Sequence, residues 1–562
     1  MRFRAPLARQ VLPALLGAIV SCASLAQVPP GTGRDIGVPE TPPEERRPSG
    51  LEIKPLAPPT PQLEGVGTLT VSRFRISGLT AFDPAELDSV LAPWIGRELS
   101  AADLAQAAGA LTGRLRERGL YVAYAFLPDQ RIVDGVVEIA VVEGRLGSVK
   151  LEMPEDSRLK RSVAEGVLAP LRPGTRIARG EFDTPLLILN DLPGVRVTPA
   201  LTRGSEPGAA DLIVRVEDEP VAGGFLRLDN HQVRELGEYE LTGHLRLRNP
   251  LGIGDLATAE LTRSHTGGRT LGSASYSLPV NYSGTRVGVA VRNQHTRVGG
   301  DFELLRIRGK WTRGTLAVTH PFLRTHDRNI QGSLSLSEIG YHDRIEAFGL
   351  VNDSRHRYAT ATVVGDWVDR LLGEGRNRVQ VEHQTGRVYL DTPAAAAADA
   401  AALQVNGRFD RSRVRFERVQ TLDARSSLLL SLGTQFASKN LDAGRELQIS
   451  GPEGVRAYST EELVADEGYV ATIEYRRVIS IEGAWRWGAI AFFDTGRGKI
   501  DKNPVPGSAG NARKISGYGL GLAVSVRDVF NAEVTLAWRA DDVPVTDPDR
   551  RPRVWFVVRR LF

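Results

Sequence analysis

Two short stretches carry the side chains with the most evident chemistry: Gly454-Val455-Arg456-Ala457-Tyr458 and Phe492-Phe493-Asp494-Thr495-Gly496. The second reads as a strand, in which Phe492, Asp494 and Gly496 share one face. Gly496 then leaves space beside the carboxylate. Taken singly, Arg456 is also read as a solvated charge in a long loop, and Asp494 as a turn residue before Gly496. Enzyme constellations are missing: the chain has no Walker loop, no G-x-S-x-G elbow and no H-E-x-x-H. Pro30-Gly31-Thr32-Gly33-Arg34-Asp35-Ile36-Gly37 has the look of a glycine-rich cofactor loop, but no strand precedes it, so it reads as linker. The nine histidines are scattered, with His231, His244 and His265 near early strands, and they read as solvated or inward-facing residues. The expectation is a protein without catalytic site, cofactor or metal.

These stretches need a scaffold, and the chain divides into five parts. Residues 1–26, MRFRAPLARQVLPALLGAIVSCASLA, form a signal peptide. Arg2, Arg4 and Arg9 supply its basic front, Val11–Val20 its apolar core, and Ser24 and Ala26 the small residues for cleavage before Gln27. Lipoprotein processing at Cys22 is the alternative. That is the chain's one cysteine, so disulfides and cysteine-based zinc sites are excluded from the mature protein. Residues 27–66 are proline-rich and read as an extended tether. Residues 67–144 read β-α-α-β-β. Asp83-Pro84 opens the first helix, and Ser100 with Asp103 makes a capping-box-like start to the second. Residues 145–219 repeat that order, so two modules of one kind stand in tandem.

From about residue 220 the helical period disappears. Tyr239–Arg248 alternates Tyr, Leu, Gly, Leu, Leu on one face with Glu, Thr, His, Arg, Arg on the other. Similar runs occur at Arg286–Arg292, Arg378–His383, Tyr518–Val526 and Ala532–Trp538. A soluble sandwich alternates too. However, the region spans 562 − 219 = 343 residues, beyond the ~200–250 of a single soluble β domain. It ends VWFVVRRLF, a strand running into Phe562. After the leader no run approaches the ~20 apolar residues of a membrane helix. The expected fold is therefore two α+β modules followed by an all-β transmembrane barrel of about 16 antiparallel strands. Pro393–Ala401 is low in complexity and reads as an external loop. With 71 Lys plus Arg against 67 Asp plus Glu, the net charge of +4 offers no case for nucleic-acid binding.

Several stretches resemble the TpsB transporters of two-partner secretion, the filamentous-haemagglutinin and haemolysin exporters within the POTRA-plus-barrel BamA superfamily. Leu127-Pro128-Asp129-Gln130 and Val142-Glu143-Gly144 look like the end of a first POTRA domain. Leu189-Asn190-Asp191-Leu192-Pro193-Gly194-Val195 looks like the signature of a second. Asp229-Asn230 through Asn249-Pro250-Leu251-Gly252-Ile253-Gly254-Asp255 is similar to a first barrel hairpin. The resemblance covers residues 67–562. It implies residence in the bacterial outer membrane, with POTRA domains and linker in the periplasm. It also implies export of an unfolded TpsA-type exoprotein, with outer-membrane lipid and the barrel-assembly machinery as further partners. Val455, Arg456, Ala457 and Tyr458 sit where the family has a VRGY loop tip, and Phe492, Asp494 and Gly496 match its F-x-D-x-G wall motif. In relatives the loop folds into the barrel and its arginine meets that aspartate. Ala457 stands where the family has glycine; if that position needs a left-handed backbone, alanine is strained there. Phe562 is read as the terminal barrel signal. A BamA-type insertase built of the same parts is the alternative function, and a diffusion porin a remoter one.

Overall fold

The computed structural model describes residues 52–53 and 68–562, apart from 179, 207, 507–509, 528 and 547. The expected signal peptide, Cys22, the glycine-rich stretch at 30–37 and most of the linker lie outside the described residues. One fragment of the linker is described. Glu52–Ile53 pairs in parallel with Val195–Arg203, so the tether is there fastened as an extra strand.

The first small domain carries a three-stranded sheet, Arg73–Ser77, Val136–Val142 and Tyr124–Phe126. The single strand expected over Leu69–Ile76 is interrupted. Val71 exchanges backbone hydrogen bonds with Gly96 and Arg97, and this leaves Leu69–Thr70 in a separate two-stranded ladder. Ser100 and Asp103 form a reciprocal capping box, and the helix Ala101–Glu117 buries Leu104, Ala107, Ala108, Leu111 and Leu115. The helix expected at Asp83 is only a sequence of short turns ending at Trp94. Pro93, with no amide to donate, lies in the last of these. The second small domain packs helices Arg161–Leu168 and Asp183–Asn190 on the strands Arg145–Glu152, Val195–Arg203 and Ala209–Asp218.

The domains are joined by buried polar contacts. The Glu143 carboxylate accepts from the Thr80 and Ala81 amides and the Thr80 hydroxyl, and pairs with Arg176 of the second domain at 3.2 Å. Burial works against its charge, but these donors prevail and hold the carboxyl below its ordinary pKa. Tyr121 donates to Asp183 across the same joint at 2.5 Å.

Sixteen antiparallel strands then close on themselves. They are β1 Ala222–Asp229, β2 Glu240–Arg248, β3 Leu256–Ser264, β4 Arg269–Pro279, β5 Arg286–Arg297, β6 Ile307–Arg324, β7 Arg328–Ile345, β8 Leu350–Asp369, β9 Gly375–Leu390, β10 Gly407–Asp423, β11 Ser426–Ala437, β12 Glu467–Glu482, β13 Trp485–Lys499, β14 Ala512–Val526, β15 Phe530–Arg539 and β16 Arg553–Leu561. The alternation read in the sequence becomes inside and outside. Leu241, Leu245 and Leu247 are exposed on the outer face of β2, while Glu240 and Thr242 are buried inside. Similar rows of Leu and Val cover the outside of the other strands, which suits lipid, while the charged rows meet one another within. Among the described residues no helix is long and apolar enough to cross a membrane. The closing seam pairs Phe225–Asp229 of β1 with Leu561–Val557 of β16. Phe562 extends it by exchanging both backbone hydrogen bonds with Gly224.

The second small domain is docked on the base of the barrel. Asp191 receives a two-pronged contact from Arg324, Nε at 2.6 Å and Nη2 at 2.8 Å, and the Lys160 amide bonds the Gly252 carbonyl. Pro393–Ala400, read as loop, is a short helix within the connection between β9 and β10. Thr392 caps its amide end, and five successive alanines, Ala394 to Ala398, supply strong helix formers.

Candidate functional site

The site is built by one long connection, residues 438–466 between β11 and β12, which turns back into the bore instead of standing above it. A small hairpin, Leu447–Gln448 with Val464–Ala465, carries its tip. Ile449, Val455, Ala457, Tyr458 and Leu463 are buried against Ile490, Phe492, Ile515 and Ala537 of the wall. The wall makes room with glycine. Added methyls would strike Ile449 at Gly496, Ala465 and Ile449 at Gly498, and Ala457 at Gly517.

Arg456 is the polar centre of that contact. Its Nε and Nη2 bind the two Asp494 oxygens at 2.8 Å each, and its own amide reaches Oδ2 at 3.2 Å. Nη1 meets Glu474 at 2.5 Å, the guanidinium lies 3.4 Å over the Phe492 ring, and the Trp555 indole N–H donates to the Arg456 carbonyl at 2.7 Å. Thr472 and Arg476 add bonds to Asp494 and Glu474. The Asp494 side chain has no exposed surface and that of Arg456 only 10%. An arginine so far from water is held by two carboxylates and an aromatic face, and its planar fork suits both.

The structure thus brings together Val455, Arg456, Ala457, Tyr458, Phe492, Asp494 and Gly496. It leaves Phe562 apart, at the seam. Tyr458 points its hydroxyl away, to the Asp542 carbonyl at 2.8 Å. Ala457 does not take the left-handed backbone that would strain it; its methyl rests on Gly517. Substituting Gly517 with alanine is therefore expected to push the tip outward at a cost of about 1–3 kcal/mol. Ala457→Gly in the same chain should restore the seat. Export assayed at matched barrel levels reads this: a several-fold loss in the single variant, recovered in the double. No recovery would contradict the fit.

Sequence reasoning missed Glu474, Trp555 and a second cluster at the stem of the loop. There Arg445 is sandwiched between the Tyr358 and Phe409 rings, 4.7 Å from each, paired with Asp442, and bonded to His356 Nδ1 at 2.7 Å. Its carbonyl accepts from Arg411, Arg413 and Gln435. The stem is thus fastened to β8, β10 and β11, and the tip to β12, β13, β14 and β16. The loop is a crossbar through the bore. Its outer turns are tied to neighbouring loops, Thr460 to His231, Asn440 to Leu403 and Asn503, and Glu462 to Val545 and Thr546, and Glu462 also pairs with Arg513 of β14.

The family model described as haemolysin secretion/activation protein ShlB/FhaC/HecB matches residues 208–524. The chain belongs to this family. A ShlB-type POTRA domain model matches residues 69–144. The heme/hemopexin transporter protein HuxB of Haemophilus influenzae (strain 86-028NP) is 24% identical over 459 residues, 81% of each chain. The outer membrane transporter CdiB of Escherichia coli O6:K15:H31 (strain 536 / UPEC) is 23% identical over 466 residues, 77% of each. In fold, the chain is similar to the solved structure of CdiB from Escherichia coli, with a TM-score of 0.66 at 20% identity and full coverage of both chains. This ShlB/FhaC/HecB member is accordingly an outer-membrane transporter with POTRA domains on the periplasmic side. Its loop 438–466 arises at the extracellular end of the barrel.

Proposed function

We propose that this ShlB/FhaC/HecB member exports one unfolded exoprotein of the adhesin or haemolysin type. The cargo reaches the periplasm after general secretion and binds the POTRA domains, where a sheet edge can accept an added strand. The bore then conducts it outward as an extended chain. No nucleotide is available there, so folding outside draws the chain forward. The crossbar supports this reading most directly. A diffusion porin has no need of a loop locked across its bore by Arg456, Glu474 and Asp494, and such a lock suits a channel that opens for one client. In this reading Arg456, with Val455, Ala457 and Tyr458 around it, acts as latch, and Phe492, Asp494 and Gly496 as its receiver. Phe562, at the seam, serves as the terminal signal read by the barrel-assembly machinery, and the outer belt meets membrane lipid.

Comparison of secreted and outer-membrane proteins with and without the gene tests the function. The expected result is loss of one or two very large secreted proteins with the other barrels unchanged. Depletion of many barrels would instead mark an insertase.

A further inference from the structure

On β6 to β8 the outward face changes character along each strand. Going outward, β6 presents Val318 and Leu316, then Lys310 and Arg308. β7 presents Leu334 and Leu336, then Glu338 and Arg344, and β8 presents Ala361 and Ala359, then Arg357 and Arg355. These strands have 18, 18 and 20 residues, against the ~9–11 that cross the hydrocarbon. The basic positions therefore follow the apolar belt at its extracellular margin.

The register concentrates this charge. Arg357 lies directly opposite Arg387 of β9, and Arg387 directly opposite Arg408 of β10, so three neighbouring strands carry arginines in one row. Arg308 and Arg344 form a second such pair. Like charges in opposed positions destabilise a sheet. The neighbouring carboxylates relieve the ends more than the middle. Glu338 meets Arg357 at 2.7 Å, Glu346 meets Arg308 at 3.4 Å and Asp410 meets Arg408 at 4.0 Å, whereas the central Arg387 stacks on Tyr389 at 5.2 Å. Arg357 is 57% exposed and Arg408 79%.

We propose that the row Arg357–Arg387–Arg408 binds the phosphates of lipid A in the outer leaflet. A guanidinium presents a planar fork that matches phosphate, and basic clusters beside a membrane bind anionic head groups. An anion seated between the arginines turns their mutual repulsion into attraction. The ligand is the lipid, because Arg357 directly follows the apolar face of β8, and Arg387 and Arg408 stand beyond it on the extracellular side, above Thr385 and Asp410.

The test uses the full chain in neutral detergent and reads its thermal transition with lipid A, with dephosphorylated lipid A, and with inorganic phosphate. Lipid A alone is expected to raise the transition. The variant Arg357→Gln/Arg387→Gln should lose the shift, and Arg263→Gln, outward on β3 and away from the row, should keep it. The proposal is overturned by no shift in the parent, by an equal shift in the double variant, by equal loss in R263Q, or by an equal shift with dephosphorylated lipid A or with inorganic phosphate. If the double variant fails to insert, native mass spectrometry compares lipid A retained by the parent and by Arg408→Gln. Reduced retention in R408Q supports the row, and equal retention overturns it.

Discussion

Substituting Arg456 with alanine is expected to cut cargo export at least tenfold while the barrel still inserts at normal levels. The reason lies in what remains. Asp494 and Glu474 stay buried in the wall, with 0% and 2% of their side chains exposed, and lose the cation they share. Removing one partner of a buried ion pair costs about 3–5 kcal/mol, because the survivor is left charged and dry. Each ~1.4 kcal/mol is a factor of ten, so the ratio of docked to undocked loop falls more than a hundredfold. The carboxylates belong to β12 and β13, where Thr472 and Arg476 still bond them, and the cation they share comes from the loop, so the loss falls on docking and not on barrel closure. Export and barrel abundance are measured together. Full export at normal abundance would contradict the latch.

The second large effect belongs to the stem. Arg445→Ala should leave Asp442 buried without its cation and empty the slot between Tyr358 and Phe409. We expect a larger steady conductance in planar bilayers, and labelling of a Val455→Cys probe by an impermeant maleimide from outside. The parent, in which Val455 is fully buried, should not be labelled. The companion Asp442→Leu/Arg445→Met should be milder, since removing a buried pair together avoids the lone charge. If R445A leaves conductance and labelling at parent values, the tip alone holds the loop and the crossbar description is wrong.

Much of this was legible before any coordinates. The outward Leu of β2, the inward Glu240 and Thr242 and the Ser100–Asp103 box follow from spacing, because strand alternation and helix capping are local, whereas length gave about 16 strands with 14 or 18 left open. Arg456 and Asp494 stood out for a different reason: their short stretches resemble the family's loop tip and wall motif, whereas spacing alone left each readable as a solvated charge or a turn residue. Glu474 left a fainter signal. Thr472, Glu474 and Arg476 alternate with Ile473 and Tyr475, which marks them as inward, but parity does not say what an inward carboxylate meets. The helix Pro393–Ala400 was hidden by its composition, which reads as low complexity although alanine favours helix.

Local pattern, then, settled which residues face lipid and which face the bore, since a period of two in a strand requires no partner to be known. Who meets whom inside the bore was decided only by the folded chain. Arg445 finds His356 across 89 positions and Trp555 finds Arg456 across 99. Such pairings depend on the register of strands far apart in sequence and on the path of one loop. Likewise, three arginines at 357, 387 and 408 become a row only when their strands are laid side by side. Charge at each position is a property of the residue, but the field it makes belongs to the assembled sheet.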